Sequence, residues 1–147
     1  MQTDSGLGYD LSLVSHFIKT KDYRYNSEER IKRIITCRDY PLRSKLLKNI
    51  ISFLSVSKLF KDYAEYVTGF DTASNELYVG AEVFAPAYRY LRFLGYNNFT
   101  YHAGEDFIHL LSGIRAVYEA LYFLDLNKGD RIGHATGSYF EIYIRIL

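Results

Sequence analysis

Only one cysteine, Cys37, occurs in the 147 residues. A single thiol cannot close an intramolecular disulfide or supply a cysteine-based zinc knuckle, which excludes a disulfide scaffold and a four-cysteine metal site. A reducing compartment is therefore the expectation. Charge of one sign is lacking too, since 18 Lys and Arg stand against 17 Asp and Glu for a net charge of +1. That balance leaves no broad electrostatic footprint for nucleic acid or for an anionic membrane surface. No uninterrupted apolar run approaches the roughly 18 residues that a spanning helix needs. Residues 1–9 (MQTDSGLGY) are polar with no basic flank, so no signal peptide is expected either. These absences place the chain in the cytoplasm with no membrane partner and no direct nucleic-acid contact. Proline and glycine number 2 and 10, and no low-complexity linker divides the chain. What is plentiful is apolar: 48% of residues are hydrophobic and 17% aromatic, enough for the core of one globular domain.

The apolar pattern alternates between strand and helix periods. Residues 11–18 (LSLVSHFI) carry apolar groups on both parities, which predicts a strand buried on both faces. Residues 19–38 are dominated by charge and read as a solvated excursion ending in the patch Ile34–Ile35, with room for a short helix or strand. In residues 44–66 the positions Leu47, Ile50, Ile51, Leu54, Val56, Leu59 and Phe60 partly follow a three-to-four spacing, predicting one helix or two abutting ones. A short strand is expected over 66–71 and a loop over 75–80. The next helix covers 82–94, with Pro86 in its first turn, Val83, Phe84, Ala87, Tyr88, Leu91 and Leu94 on one face, and Gly95 as its stop. A strand follows over 99–102 and a turn at Ala103–Gly104. The clearest helix spans 110–126, where Leu110, Ile114, Val117, Leu121 and Leu124 trace one stripe, and a fourth strand covers 131–135.

Asp71 and His102 are 31 positions apart, and His102 and His134 are 32 apart. A parallel βαβ crossover takes about 30 residues, so each interval is one such unit and the expected class is α/β with a parallel sheet. Parallel sheets and barrels carry their sites at the carboxyl ends of the strands. On this reading, strand two ends in Asp71, strand three in His102 with Glu105 on the following turn, and strand four in His134. Imidazole is the commonest nitrogen ligand of zinc and a common general base, and a nearby carboxyl group can exchange protons with a substrate. The plainer alternatives are a hydrogen-bonded strand-end histidine for His102, a helix-dipole acid for Glu105 and a buried core histidine for His134. His109 is expected on a helix surface and His16 as a packed strand histidine. No glycine-rich phosphate loop, no Gly-x-Ser-x-Gly elbow and no Pro-Cys-x-x-Cys pair is present.

The ordered set Gly69-Phe70-Asp71-Thr72-Ala73-Ser74-Asn75-Glu76, Phe84-Ala85-Pro86-Ala87, Thr100-Tyr101-His102-Ala103-Gly104-Glu105 and Asp130-Arg131-Ile132-Gly133-His134-Ala135 resembles the adenosine and AMP deaminase family in order and spacing. Ser15-His16-Phe17-Ile18-Lys19 looks like an earlier strand of the same family, and the wording is closest to large bacterial members, some associated with antiviral defence. The resemblance implies a metal-dependent (β/α)8 barrel of which residues 1–147 supply roughly strands three to six. It implies zinc as cofactor with His102 as a ligand, Glu105 as the acid that protonates the purine N1, and His134 as the group that orients and deprotonates the attacking water. Asp71 would support the site, and Ser74 takes the place of a family glycine whose backbone faces the purine. The implied substrate is adenosine or a related purine nucleoside or nucleotide.

Two departures accompany the resemblance. The family's His-x-His and Asp-Asp pairs, which bring the other zinc ligands, occur nowhere in the 147 residues. A complete barrel also takes roughly 200 to 250 residues or more. The expectation is thus a truncated or partial deaminase domain, either the catalytic centre of a hydrolase completed by further strands or a catalytically incompetent segment with a structural or interaction role. Self-association or a complementing barrel segment is the expected protein partner.

Overall fold

The computed structural model describes residues 12–21 and 37–136; the possible short element among residues 22–36 lies outside them. In chain order the elements are β1 (Leu13–Ile18), α1 (Tyr40–Leu59), α2 (Lys61–Tyr66), β2 (Val67–Ala73), a 3-10 turn (Ala81–Val83), α3 (Ala85–Phe93), β3 (Phe99–Ala103), α4 (Leu110–Phe123) and β4 (Arg131–His134). The strands form one sheet in the order β1-β2-β3-β4, and every neighbouring pair is parallel. The predicted alternation and the α/β class are therefore present. The described strands close no barrel.

Strand parity separates two chemistries. Phe17, Phe70 and Phe99 lie on one face and stack in sequence, with ring centroids 5.9 Å and 6.0 Å apart. The helices pack on this face. Phe53 of α1 meets Phe70 edge-on at 5.2 Å, Tyr88 of α3 lies 5.1 Å from Phe99, and Val117, Ala120 and Leu124 from α4 and its end join the same core. The fully buried Tyr88 hydroxyl donates to the Thr100 carbonyl at 2.6 Å and lies 2.8 Å from the Thr72 hydroxyl, so its polar tip is satisfied inside the core. Register places His16 level with Asp71, Asp71 level with Thr100, and His102 level with Gly133 on the opposite face.

Three helix and strand expectations need correction. β1 is not buried on both faces: Phe17 alone is buried among its six residues, and Val14 and Ile18 are 46% and 49% exposed. Among the described strands it lies at the edge of the sheet, and its second face has no described helix over it. α1 begins at Tyr40, with Pro41 in its first turn, and buries Leu42, Leu46, Ile50 and Phe53, whereas Leu47 and Ile51 of the expected stripe are exposed. Apolar and polar residues are interspersed around this helix, so the sequence marks no single face, and packing against the phenylalanine ladder chose it. The stripe of the α3 segment fails only at its carboxyl end, where Leu94 is exposed, and that of α4 only at its amino end, where Leu110 is exposed.

At the amino-terminal end of β3 and β4 the buried Asp130 carboxylate gathers three donors. Its Oδ1 accepts from Phe99 N at 2.9 Å, and its Oδ2 from Asn127 N and Arg92 Nη2, both at 2.7 Å. The Arg92 guanidinium also lies 4.6 Å over the Phe99 ring. Removing one partner of a buried ion pair strands the other charge, at a cost of about 3 kcal/mol. Asp130→Ala is accordingly expected to lower unfolding stability by that order in a denaturant titration. A loss below about 0.5 kcal/mol, the size of an ordinary surface substitution, would show that this cluster does not hold the two strands.

Candidate active site

β2 does not end at Asp71, as expected, but runs on to Ala73, so Asp71 is an interior strand residue and 3% exposed. His102 is the penultimate residue of β3 and His134 the last of β4. Glu105 follows the Ala103–Gly104 turn and is exposed. Gly104 has φ +78°, and a Cβ there would come within 2.7 Å of Val117, so both backbone conformation and α4 demand glycine. The turn is held from two sides: Gly104 N donates to Glu76 Oε2 at 2.6 Å, and the Thr136 hydroxyl donates to the Gly104 carbonyl.

The site residues meet as two carboxylate–imidazole pairs. His102 Nε2 lies 3.2 Å from Asp71 Oδ2, and His134 Nε2 lies 3.1 Å from Glu105 Oε2. The two imidazoles are themselves 5.2 Å apart between centroids, so both pairs belong to one cluster at the carboxyl ends of β2, β3 and β4. The His102 ring lies flat over Gly133, where a Cβ would come within 2.8 to 2.9 Å of its atoms. His134 has φ +63°, a left-handed conformation for a non-glycine residue at the site. Ser74 sits just after β2 at φ +86°, the region that favours glycine, and makes no ion pair or hydrogen bond to the other four among the described residues.

His16 is not a packed strand histidine. Its Nδ1 is 3.0 Å from Asp71 Oδ2 and its side chain is half exposed, on the same face as His102. His109 is not on a helix surface either: it caps α4 in an extended conformation, its carbonyl accepting from Ser112 N and Gly113 N. Lys19 was without a role in the sequence. It directly follows β1, is fully buried, donates through Nζ to the His102 carbonyl, and lies 4.4 Å over the Tyr101 ring. A lysine closing an apolar strand is the signal that marks it. Burial pulls its ammonium down to about 8, a shift only partly countered by the charges of Glu76, Asp106, Asp71 and Glu105.

Among the described residues no group of three or more His, Cys, Asp or Glu side chains could hold a metal ion. His102 turns Nε2 to Asp71 and lays its ring against Gly133. The described residues therefore do not by themselves fit the zinc centre that the resemblance implies. No family model and no curated protein matches the chain. Among the described residues no helix is long and apolar enough to cross a membrane.

Two outcomes follow from this geometry. Dialysed against a mild chelator, the 147-residue chain is expected to retain substoichiometric zinc by elemental analysis, and stoichiometric retention would reveal a donor set beyond the described residues. The second concerns Lys19, whose folded-state value of about 8 lies below the ordinary 10.5. Between these values the unfolded chain holds a proton that the folded chain has released, so stability rises with pH through the interval. The penalty is fully present below pH 8. The expected gain from pH 8 to pH 10 is about 2 kcal/mol, and Lys19→Met should flatten it. An unaltered pH profile in that variant would assign the rise to another group.

Proposed function

We propose that the chain carries the acid–base part of an adenosine deaminase-type site, on a sheet that forms part of a (β/α)8 barrel. The barrel reading is supported by the sequential strand order and by the described helices, which pack on one face of the sheet, as in a singly wound barrel; a doubly wound sheet has helices on both. The observation that carries the functional reading is the convergence of Asp71–His102 and Glu105–His134 at one strand end. Two carboxylate–imidazole pairs on successive strand tips are suited to a reaction that moves several protons.

Hydrolytic deamination is such a reaction. Water adds to C6 of the purine; one of its protons ends on N1 and the other on the amino group, which leaves as ammonia while the C6 oxygen becomes the carbonyl. In the proposed assignment Glu105 donates to N1 and His134 takes the proton of the adding water, and their 3.1 Å separation places both groups within reach of one substrate. Asp71 holds the His102 ring, and Ser74 borders the space where the purine would lie. Zinc, which the resemblance implies, would lower the pKa of the water. With no three-donor group among the described residues, the assignment rests on the protein acids and bases alone. That same observation favours a second reading, a catalytically silent barrel segment that acts through association; β1 and β4 each lack a neighbouring strand on one side among the described residues.

The test uses the natural reading frame that contains this sequence. Adenosine should release ammonia, and Glu105→Gln should lower the rate by about 10²-fold or more with metal content unchanged. His102→Ala should lower metal content and rate together. Loss of metal in Glu105→Gln would overturn the division of roles, and absence of ammonia release from the unsubstituted protein would leave the second reading standing.

A further inference from the structure

We propose that Glu76 is a positioning residue of this site, setting through the Gly104 amide the direction in which Glu105 leaves the tip of β3. The inference deepens the reading of Glu105 as the acid of the site and rests on it. Between His102 and Glu105 the chain is Ala103–Gly104, and Gly104, at φ +78°, has no Cβ to restrict its backbone. Left to itself, such a link would let the Glu105 carboxyl group sweep a wide arc. Hydrogen bonds from three other parts of the chain hold it instead. Lys19 Nζ donates to the His102 carbonyl, Ala135 N to the Ala103 carbonyl at 3.0 Å, and the Thr136 hydroxyl to the Gly104 carbonyl. Gly104 N donates to Glu76 Oε2 at 2.6 Å.

Three successive peptide groups are thereby tied, and Glu76 completes the middle one. The peptide between Ala103 and Gly104 is gripped at both ends, its carbonyl by Ala135 and its amide by Glu76, which fixes the rotation of its plane. Without Glu76 one anchor remains, and the plane can turn about it. The loop after β2 places Glu76 for this task. Ser74 turns the chain at φ +86°, Asn75 Oδ1 accepts from Leu77 N at 2.8 Å, and the Asn75 carbonyl accepts from Tyr78 N at 3.2 Å, so the backbone on both sides of Glu76 is closed into a turn. A carboxylate that accepts from a backbone N–H makes one of the stronger hydrogen bonds. Glu76 is also the acid whose charge most strongly counters the burial of Lys19. Its charge and its acceptor oxygen are therefore two separate contributions to the tip of β3.

Three substitutions separate them. Glu76→Gln keeps an oxygen at the same reach and removes the charge, Glu76→Asp keeps the charge and draws the oxygen back by one methylene, and Glu76→Ala removes both. The experiment is nuclear magnetic resonance of the full 147-residue chain, reading hydrogen exchange of the Gly104 amide and the orientation of the Gly104 and Glu105 N–H bonds from residual dipolar couplings. In Glu76→Ala and Glu76→Asp the Gly104 amide should exchange about ten-fold faster or more, and both bonds should lose their fixed orientation, with far-ultraviolet circular dichroism unchanged. Glu76→Gln should keep the slow exchange and both orientations.

Unchanged Gly104 exchange or an unchanged Glu105 orientation in folded Glu76→Ala would overturn the proposal. Loss of the signals, or of the fold, in Glu76→Gln would overturn it too, because the acceptor is still there. If Glu76→Ala does not fold, the Gln and Asp pair decides alone: equal behaviour of the two overturns it. These measurements need no turnover. A failure here is therefore distinct from a failure of the deaminase reading, which shows as absent ammonia release with the Gly104 and Glu105 signals intact.

Discussion

Strand register is the constraint on which the rest of the molecule depends. Side chains alternate with a period of two, so a slip of one residue between neighbours would exchange the two faces of the sheet. The stacked rings of Phe17, Phe70 and Phe99 oppose such a slip, because it would turn a phenylalanine away from the helices and put a polar residue in its place. The same register that aligns the phenylalanines sets His16 level with Asp71 and carries His102 above Thr100 on the other face. Core packing and site geometry are two consequences of one alignment.

That alignment has an energetic consequence at the carboxyl end. It buries Asp71 and Lys19, two groups that favour water, beside a core of aromatic rings. Each is compensated in part: Asp71 by two imidazole nitrogens, Lys19 by a carbonyl, an aromatic face and the field of four acids. Left-handed conformations at Ser74, His134 and Ala135 add backbone strain in the same region. Concentrated polar burial and strain are the arrangement expected where a structure gives up stability for a site.

The alternation of strands and helices was legible because a βαβ unit has a characteristic length, and the 31- and 32-residue intervals between Asp71, His102 and His134 report it directly. Those three residues were found, together with Glu105, because strand tips are where parallel sheets carry polar groups. The face of α1 was not legible, since Leu47 and Ile51 are as apolar as Leu46 and Ile50 and only contact with Phe70 distinguishes them. His16 and Lys19 were missed for a related reason: their partners are 55 and 83 residues away, His16 on Asp71 and Lys19 on the His102 carbonyl. No local pattern encodes such a pairing. The role of Asp130 was not legible either, because its three donors come from three separate places in the chain.

The two ends of the sheet differ in how they treat a buried carboxylate, and the difference separates stability from chemistry. Asp130, at the amino-terminal end, has a donor on each oxygen, two of them backbone amides, and a guanidinium stacked over a core ring. Both oxygens are engaged, by three donors in all. Asp71, toward the carboxyl-terminal end, has both neighbours on one oxygen and, among the described residues, no hydrogen-bond partner on the other. Those neighbours are imidazoles, whose ring nitrogens can donate or accept a hydrogen bond, where a backbone amide nitrogen can only donate. A saturated carboxylate holds strands together, whereas an incompletely satisfied one beside proton-exchanging groups can change partners. Parallel sheets carry their sites toward the carboxyl ends of the strands, and Asp71, two residues short of the end of β2, lies on that side, which supports the functional reading of this cluster proposed above.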